Sequence, residues 1–326
     1  MTAPVVDVVI ASYNHAPYVQ QAIDSVLANT VPLHLWVVDD GSSDGSRDLL
    51  SDLDDPRVTV AMNPENIGAG ETFNRGARMG SAPFMAICNS DDIWHPEKLS
   101  RQLKAIGGVK TRDKIAYTLA EYVGPDGGPV PEDLPVYRSG TFLDVDWDRY
   151  RWLNQLMLKG NGLCTPSALI PRRIWEQVGG YNNAFRHLPD MELWTRLFQY
   201  ADPVILSEQL IKFRFHGANT SSLSGQTRFQ RRCKKRAMEW EQHYILRRFV
   251  AEASDDIFAR VFLRDTYQPD VGMLLQKFEF LIGLGRPHAA RIAMDHVMDT
   301  LTKHGDQPDF TALDFQKICN LRSLDL

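Results

Sequence analysis

The chain has 326 residues, 44% hydrophobic and 24% charged, with a formal net charge of −5. That is enough for one large domain with an appendage or for two domains, and the mild acidic balance gives no reason to expect a nucleic-acid partner. Cys88, Cys164, Cys233 and Cys319 form neither a CxxC pair nor a zinc-ligand spacing, so free thiols in a reducing cytoplasm are expected.

In chain order, Val5 to Ile10 reads as a first strand, and Ala22, Ile23, Val26 and Leu27 recur at helical spacing. Leu33 to Val38 is a second strand, and Ser43-Asp44 is placed to cap a short helix carrying Leu49, Leu50 and Leu53. Val58 to Met62 is a third strand, Gly70 to Met79 a helix and Phe84 to Cys88 a fourth strand. Pro96 suits the first turn of a helix whose Leu99, Leu103 and Ile106 share a face. Strand-helix alternation of this kind predicts parallel strands with right-handed crossovers, an α/β doubly wound sheet.

Residues 121–148, rich in Pro, Gly and Asp, read as a long loop. Strand-like and helical segments resume at Ser167 to Ile170 and around Leu193 to Leu197. Beyond about residue 225 long helical patterns dominate, which predicts a domain over 1–225 and a helical extension over 226–326. No apolar run reaches the roughly 18 residues that span a bilayer, and the first residues lack a leader's basic patch. A soluble chain is therefore expected, with peripheral contact at the inner face of the cell membrane left open by the basic run Arg228, Arg231, Arg232, Lys234, Lys235 and Arg236.

In an open parallel sheet, ligands bind at the carboxyl edge of the strands. Polar clusters follow four strands: Ala11-Ser12-Tyr13-Asn14, Asp39-Asp40-Gly41-Ser42, Asn63 to Asn66 with Gly68 beyond, and Asn89-Ser90-Asp91-Asp92. Neither GxGxxG nor GxxxxGK[ST] occurs to cradle phosphates. The paired acids Asp91 and Asp92 point instead to a divalent cation completed by phosphate oxygens, Mn or Mg.

The stretches VVIASYNHAPYVQQAIDSVLANT, WVVDDGSSDGS, NPENIGAG, ICNSDDIWHPEKLSRQ, VGGYNNAFRHLPDMELWTRL and FRFHGANTS run in consistent order from residue 5 to residue 222. Together they resemble glycosyltransferase family 2, whose members have the GT-A fold. The resemblance implies an inverting, metal-dependent enzyme that moves a sugar from a nucleotide diphosphate donor, with a UDP-sugar expected, to an acceptor hydroxyl on a glycan or lipid-linked molecule. Synthesis of bacterial surface polysaccharide or glycoconjugate is the setting it implies.

By the same resemblance Ala11, Ser12, Tyr13, Asp40, Asn66, Gly68 and Asp91 face the donor nucleotide, with Tyr13 stacking on the base and Asp40 accepting from its imide. Asp92 and His216 are the implied metal ligands, and Arg75 and Arg214 the diphosphate partners. Asp190 matches the general base, with Glu192 as its rival. Three positions depart from the family pattern: Asn89 where an acid usually opens the acidic run, Phe73 where an arginine is usual, and Pro189 just before Asp190. Two other readings stand beside this one, a nucleotidyltransferase and a degenerate transferase domain that holds a glycan or scaffolds a complex. The apolar positions Leu274, Leu275, Phe278, Leu281 and Ile282 predict a helix face that packs on the main domain or joins two copies in a homo-oligomer.

Overall fold

A computed structural model describes residues 3–130, 142–216, 227–307, 310, 311 and 314. It divides into two compact units, Met1–Cys233 and Lys234–Leu326.

The first unit is built on an eight-stranded sheet in the order β3-β2-β1-β4-β7-β6-β8-β5. Its first half follows the sequence pattern: β1 (Val6–Ser12), α1 (Val19–Leu27), β2 (Leu33–Asp39), α2 (Ser46–Ser51), β3 (Val58–Met62), α3 (Ala69–Met79) and β4 (Phe84–Asn89). These four strands pair in parallel. The cap of α2 differs in detail from the expectation. Gly45 is the capping residue, while Asp44 Oδ1 accepts from the Ser46 N–H at 3.0 Å.

After β4 come β5 (Ile93–Trp94), α4 (Lys98–Ala105) and β6 (Lys114–Val123). Then follow α5 (Arg149–Leu158), the 3₁₀ turn Thr165–Ser167, β7 (Leu169–Pro171), α6 (Arg172–Val178), α7 (Pro189–Leu197) and β8 (Asp202–Arg214). Three joints here are antiparallel, β4 with β7, β6 with β7 and β5 with β8, while β6 and β8 run parallel. Part of the predicted loop over 121–148 is therefore strand, since β6 runs to Val123; its residues 131–141 lie outside the described residues.

Alternation along β1 sends Val6, Val8 and Ile10 into a core shared with Ile23, Val26, Leu50 and Leu99. The other face carries Asp7 and Val9, and α3 lies close against it. A Cβ on Gly76 would stand 2.5 Å from Val9 Cγ1, so only glycine allows that approach.

Asp7 is buried. Its Oδ2 accepts from Arg172 Nη2 at 2.7 Å and from the Ala82 N–H at 2.6 Å, and its Oδ1 from Trp36 Nε1 at 3.0 Å. Arg172 also donates to the Ala82 and Ala77 carbonyls. This network ties β1, the α3–β4 connection and α6 together. Asp7→Ala should cost about 3–5 kcal/mol of stability, because it strands a buried guanidinium. Urea unfolding measures this, and a loss under about 1 kcal/mol would show that solvent reaches Arg172 freely.

The second unit contains most of α8 (Arg228–Glu252), followed by α9 (Asp255–Phe262), α10 (Met273–Gly283) and α11 (Pro287–His304). The apolar face of α10 is used inside this unit. Phe280 packs on Phe258 and Phe262 at 5.8 and 4.6 Å, and Phe278 on Phe310 at 5.6 Å. Among the described residues no helix is long and apolar enough to cross a membrane.

Candidate active site

The carboxyl edge of the sheet gathers the loops after β1, β2, β3, β4 and β8. Asn14 adopts a left-handed conformation (φ 53°), which Asn tolerates better than most residues. Its N–H donates to Ser42 Oγ at 2.8 Å and its Oδ1 accepts from the Ser43 N–H at 2.8 Å. The His15 N–H donates to Ser46 Oγ and the Ala16 N–H to Asp44 Oδ2. The β1 and β2 loops are thus stitched together, which leaves Tyr13 46% exposed and fixes the His15 backbone.

Asp40 is buried and turned inward. Its Oδ1 accepts from the Ile67 N–H at 2.9 Å and Asn63 Nδ2 at 2.8 Å, and its Oδ2 from the Gly68 N–H at 3.0 Å. Gly41 (φ 77°) lies so close to the Glu65–Asn66 backbone that a Cβ there would come within 2.7 Å of it. Asp40 therefore anchors the loop carrying Asn66 and Gly68, and a base contact has only its remaining lone pairs. Ser12 Oγ and Asp39 Oδ2 are buried with no hydrogen-bond partner, at paired positions on β1 and β2. Asp40→Ala should weaken UDP binding at least tenfold with little change in kcat, since it frees a loop remote from the reacting carbon. Calorimetric titration checks this; unchanged affinity would remove the loop from the donor site.

The two acids after β4 face different ways. Asp92 Oδ1 accepts from the Arg214 N–H at 2.9 Å and its Oδ2 from Asn89 Nδ2 at 3.0 Å. Burial, and then the neighbouring Asp91, push its carboxyl well above the usual range. Asp92, expected as a metal ligand, has both carboxylate oxygens engaged within the protein and so joins β4 to β8, with Asn89, in place of an acid, supplying one of the two donors. Asp91, also buried, turns a different way. Its carboxylate lies with His15 and His216 in a group whose candidate ligand atoms are all within 4.8 Å of one another. His216 Nε2 is 3.0 Å from Asp91 Oδ2, and His15 Nδ1 is 2.8 Å from Ser90 Oγ. Burial holds the His15 imidazole below its ordinary pKa, with Asp91 opposing, so a neutral ring is available as a ligand. His15 was not among the residues expected from the sequence, where only its place in the loop of Tyr13 marks it.

The two expected diphosphate arginines both make contacts within the protein, Arg214 buried and Arg75 half-buried. Arg214 is buried, donating through Nε to the Asp91 carbonyl, through Nη1 to the Pro125 carbonyl and through Nη2 to Gln21 Oε1, with its guanidinium 4.8 Å from the Tyr18 ring centre. It shapes the site from behind. Arg75 Nη1 donates to the Met62 carbonyl and to Asn63 Oδ1, bracing the end of β3. Arg186, not singled out from the sequence, brings its Nη1 to 3.2 Å from where a Cβ on Gly68 would stand.

Pro189 occupies the opening of α7, where its missing N–H costs nothing, and puts Asp190 in the first turn. Asp190 Oδ2 accepts from Thr165 Oγ1 at 3.0 Å and its Oδ1 from the Tyr181 hydroxyl at 3.1 Å. Burial raises its pKa, and these two hydrogen bonds pull it back only in part. Phe73 packs 5.8 Å from the Tyr181 ring, so the unusual phenylalanine supports a residue that holds Asp190. Glu192 is buried and forked onto Arg196, at 2.8 Å to Nε and 2.5 Å to Nη2. As the rival base it is engaged elsewhere.

Comparison with known proteins bears on the family and the fold. Residues 7–122 match the family model described as glycosyl transferase family 2. An uncharacterized glycosyltransferase of Rickettsia prowazekii is 28% identical over 222 residues, 68% of this chain and 67% of that one. A putative teichuronic acid biosynthesis glycosyltransferase of Bacillus subtilis is 31% identical over 145 residues, 44% of this chain and 57% of that one. Across the Rickettsia relatives the chain spans from 31 to 67% of their length. The crystal structure of Staphylococcus aureus TarS 1-349 in complex with UDP superposes with a TM-score of 0.56 at 14% identity, covering 95% of this chain and 94% of that one. The fold is thus that of the GT-A transferases.

Proposed function

We propose, from the premise that this chain belongs to glycosyltransferase family 2, that it transfers a sugar from a nucleoside diphosphate sugar, a UDP-sugar by preference, to an acceptor hydroxyl with inversion. The observation that carries this reading is the placement of Asp190 against the consumption of Glu192. A half-buried carboxylate with raised pKa, oriented by two hydroxyl donors, has the basicity and the fixed aim of a general base.

In this reading the acceptor oxygen attacks the anomeric carbon, the bond from that carbon to the diphosphate oxygen breaks, and the acceptor proton passes to Asp190. Tyr13 offers an exposed aromatic face to the nucleobase. Asp40 holds the loop of Asn66 and Gly68 against the nucleotide, and Arg186, beside Gly68, offers a guanidinium to the diphosphate. His15, Asp91 and His216 would hold a divalent cation, which when bound offsets the charge of the departing diphosphate. Two imidazoles and one carboxylate favour Mn over Mg, whose ligands are almost always oxygen.

The setting we propose is surface polysaccharide or glycoconjugate synthesis on the cytoplasmic side of the membrane, with a glycan or lipid-linked acceptor. The named role of the Bacillus relative and the exposed basic residues of α8 support it. A screen of UDP- and GDP-sugars for metal-dependent release of the nucleotide tests the reading. Release from no donor, with intact UDP binding, would favour a non-catalytic glycan-holding role.

A further inference from the structure

Within the second unit, α8 and α11 enclose a cleft of about 940 Å³, the size range of small-ligand sites. Trp240 stands at its edge, 71% exposed, an unusual position for so large an apolar ring. Three guanidinium groups, Arg236, Arg247 and Arg291, line it, and none of them enters an ion pair with another described residue. Two acids share the cleft, and Glu239 is 3.9 Å from Lys235, a partner outside the lining.

The lining includes a histidine pair. His243 lies 5.7 Å from the ring of His288 and 5.9 Å from that of Trp240. The Nδ1 of His243 is shielded from solvent and has no hydrogen-bond partner in the protein. Burial, His288 and the guanidiniums of Arg247 and Arg291 hold the His243 ring below its ordinary pKa, with Asp295 opposing. Burial and then Arg286 act likewise on His288, with Glu239 opposing. Both rings are therefore neutral near pH 7, and each can donate to or accept from a hydroxyl.

We infer that this cleft is a second binding site, separate from the donor site, for an anionic saccharide: a sugar ring whose carboxylate or phosphate meets the guanidiniums while its apolar face lies on Trp240. The match is chemical at three points. A flat exposed indole fits the C–H face of a pyranose. Guanidinium forks fit a carboxylate or phosphate in a bidentate way that a lone ammonium does not. The imidazoles of His243 and His288 line the cleft, and their solvent-accessible ring nitrogens can donate to or accept from ring hydroxyls. A neutral sugar would leave the excess of three guanidiniums over two carboxylates unmatched, and a purely apolar ligand would use neither the guanidiniums nor the imidazoles. Such a site would hold a growing acidic glycan on the enzyme between transfers, raising its effective concentration at the reacting end. The inference does not depend on which residue serves as base.

Calorimetric titration of the intact chain with digalacturonate tests it, with lactose as neutral control and glucose 1-phosphate and inorganic phosphate as further arms. Digalacturonate or glucose 1-phosphate should bind, lactose at least tenfold more weakly, and added salt should lower the affinity. Trp240→Ala and the double variant Arg247→Ala/Arg291→Ala should each weaken binding at least tenfold. Both should leave the circular dichroism spectrum and UDP affinity unchanged, since none of these side chains belongs to the core or to the donor site. Equal affinity for lactose, or native affinity in both variants, would overturn the inference. So would inorganic phosphate binding as tightly as the saccharides, which would reduce the cleft to an anion site. Binding to phosphatidylglycerol vesicles, lost in the variants, with no saccharide bound would assign the cleft to a membrane surface instead.

Discussion

Asp190→Asn should lower the transfer rate about 10²- to 10⁴-fold and leave UDP affinity where it was. The amide keeps the shape of the carboxylate and can still accept from the Tyr181 hydroxyl, so the fold of the α7 start is preserved. What it loses is the capacity to take a proton. The pH profile gives a second, independent reading. Burial raises the Asp190 pKa, and the protonated acid cannot act as a base. The wild-type rate should therefore fall as pH drops through this raised pKa, on a limb displaced upward from the usual carboxylate range. The Tyr181 hydrogen bond favours the charged form, so Tyr181→Phe should move that limb to still higher pH. Glu192→Gln should behave differently. It leaves Arg196 without its buried partner, so the loss should appear in stability first. Normal transfer by Asp190→Asn would end the assignment, and the carboxylate would then only brace Thr165 and Tyr181.

The first half of the fold was legible because each strand and helix carries its own period and its own stop signal. The parallel set β1 to β4 needs nothing from distant sequence to be recognised. The second half was not. β6 and β8 pair with each other across an irregular register at Thr118 to Ala120, so no clean alternation survives in either strand. β7 has three residues, and its antiparallel place between β4 and β6 depends on partners far away in the chain. The site divides along the same line. That polar residues collect at the carboxyl edge follows from local pattern. How Asp91 and Asp92 divide their partners does not, because Asp92 is held by the backbone of Arg214, 122 residues further on. Likewise Arg214 looks like a ligand-binding cation until Gln21, Pro125 and the Asp91 carbonyl surround it. Glu192 is the exception, since Arg196 four residues later already spelled a helical ion pair.

Chelation of divalent ions should abolish transfer, and Mn²⁺ should restore it at lower concentration than Mg²⁺. His15, Asp91 and His216 offer two nitrogens and one carboxylate within 4.8 Å of one another, a set that binds first-row transition ions better than Mg²⁺. Asp91→Ala removes the anionic member. Charge stabilisation of the leaving diphosphate is typically several kcal/mol, so the rate should fall on the order of 10³-fold. Asp92→Asn is the informative contrast. It keeps an acceptor for the Arg214 N–H and loses only a charge that burial already disfavours, so its affinity for Mn²⁺ should stay within about threefold of native. Calorimetric titration of the metal-free chain with Mn²⁺ reads this without reference to turnover. His15→Gln should weaken that binding at least tenfold. If Asp92→Asn abolishes Mn²⁺ binding while Asp91→Ala keeps it, the inner acid is the ligand and β8 must shift to release it. If both bind normally and only His15→Gln fails, the cation lies on the histidines and Asp91 serves the nucleotide.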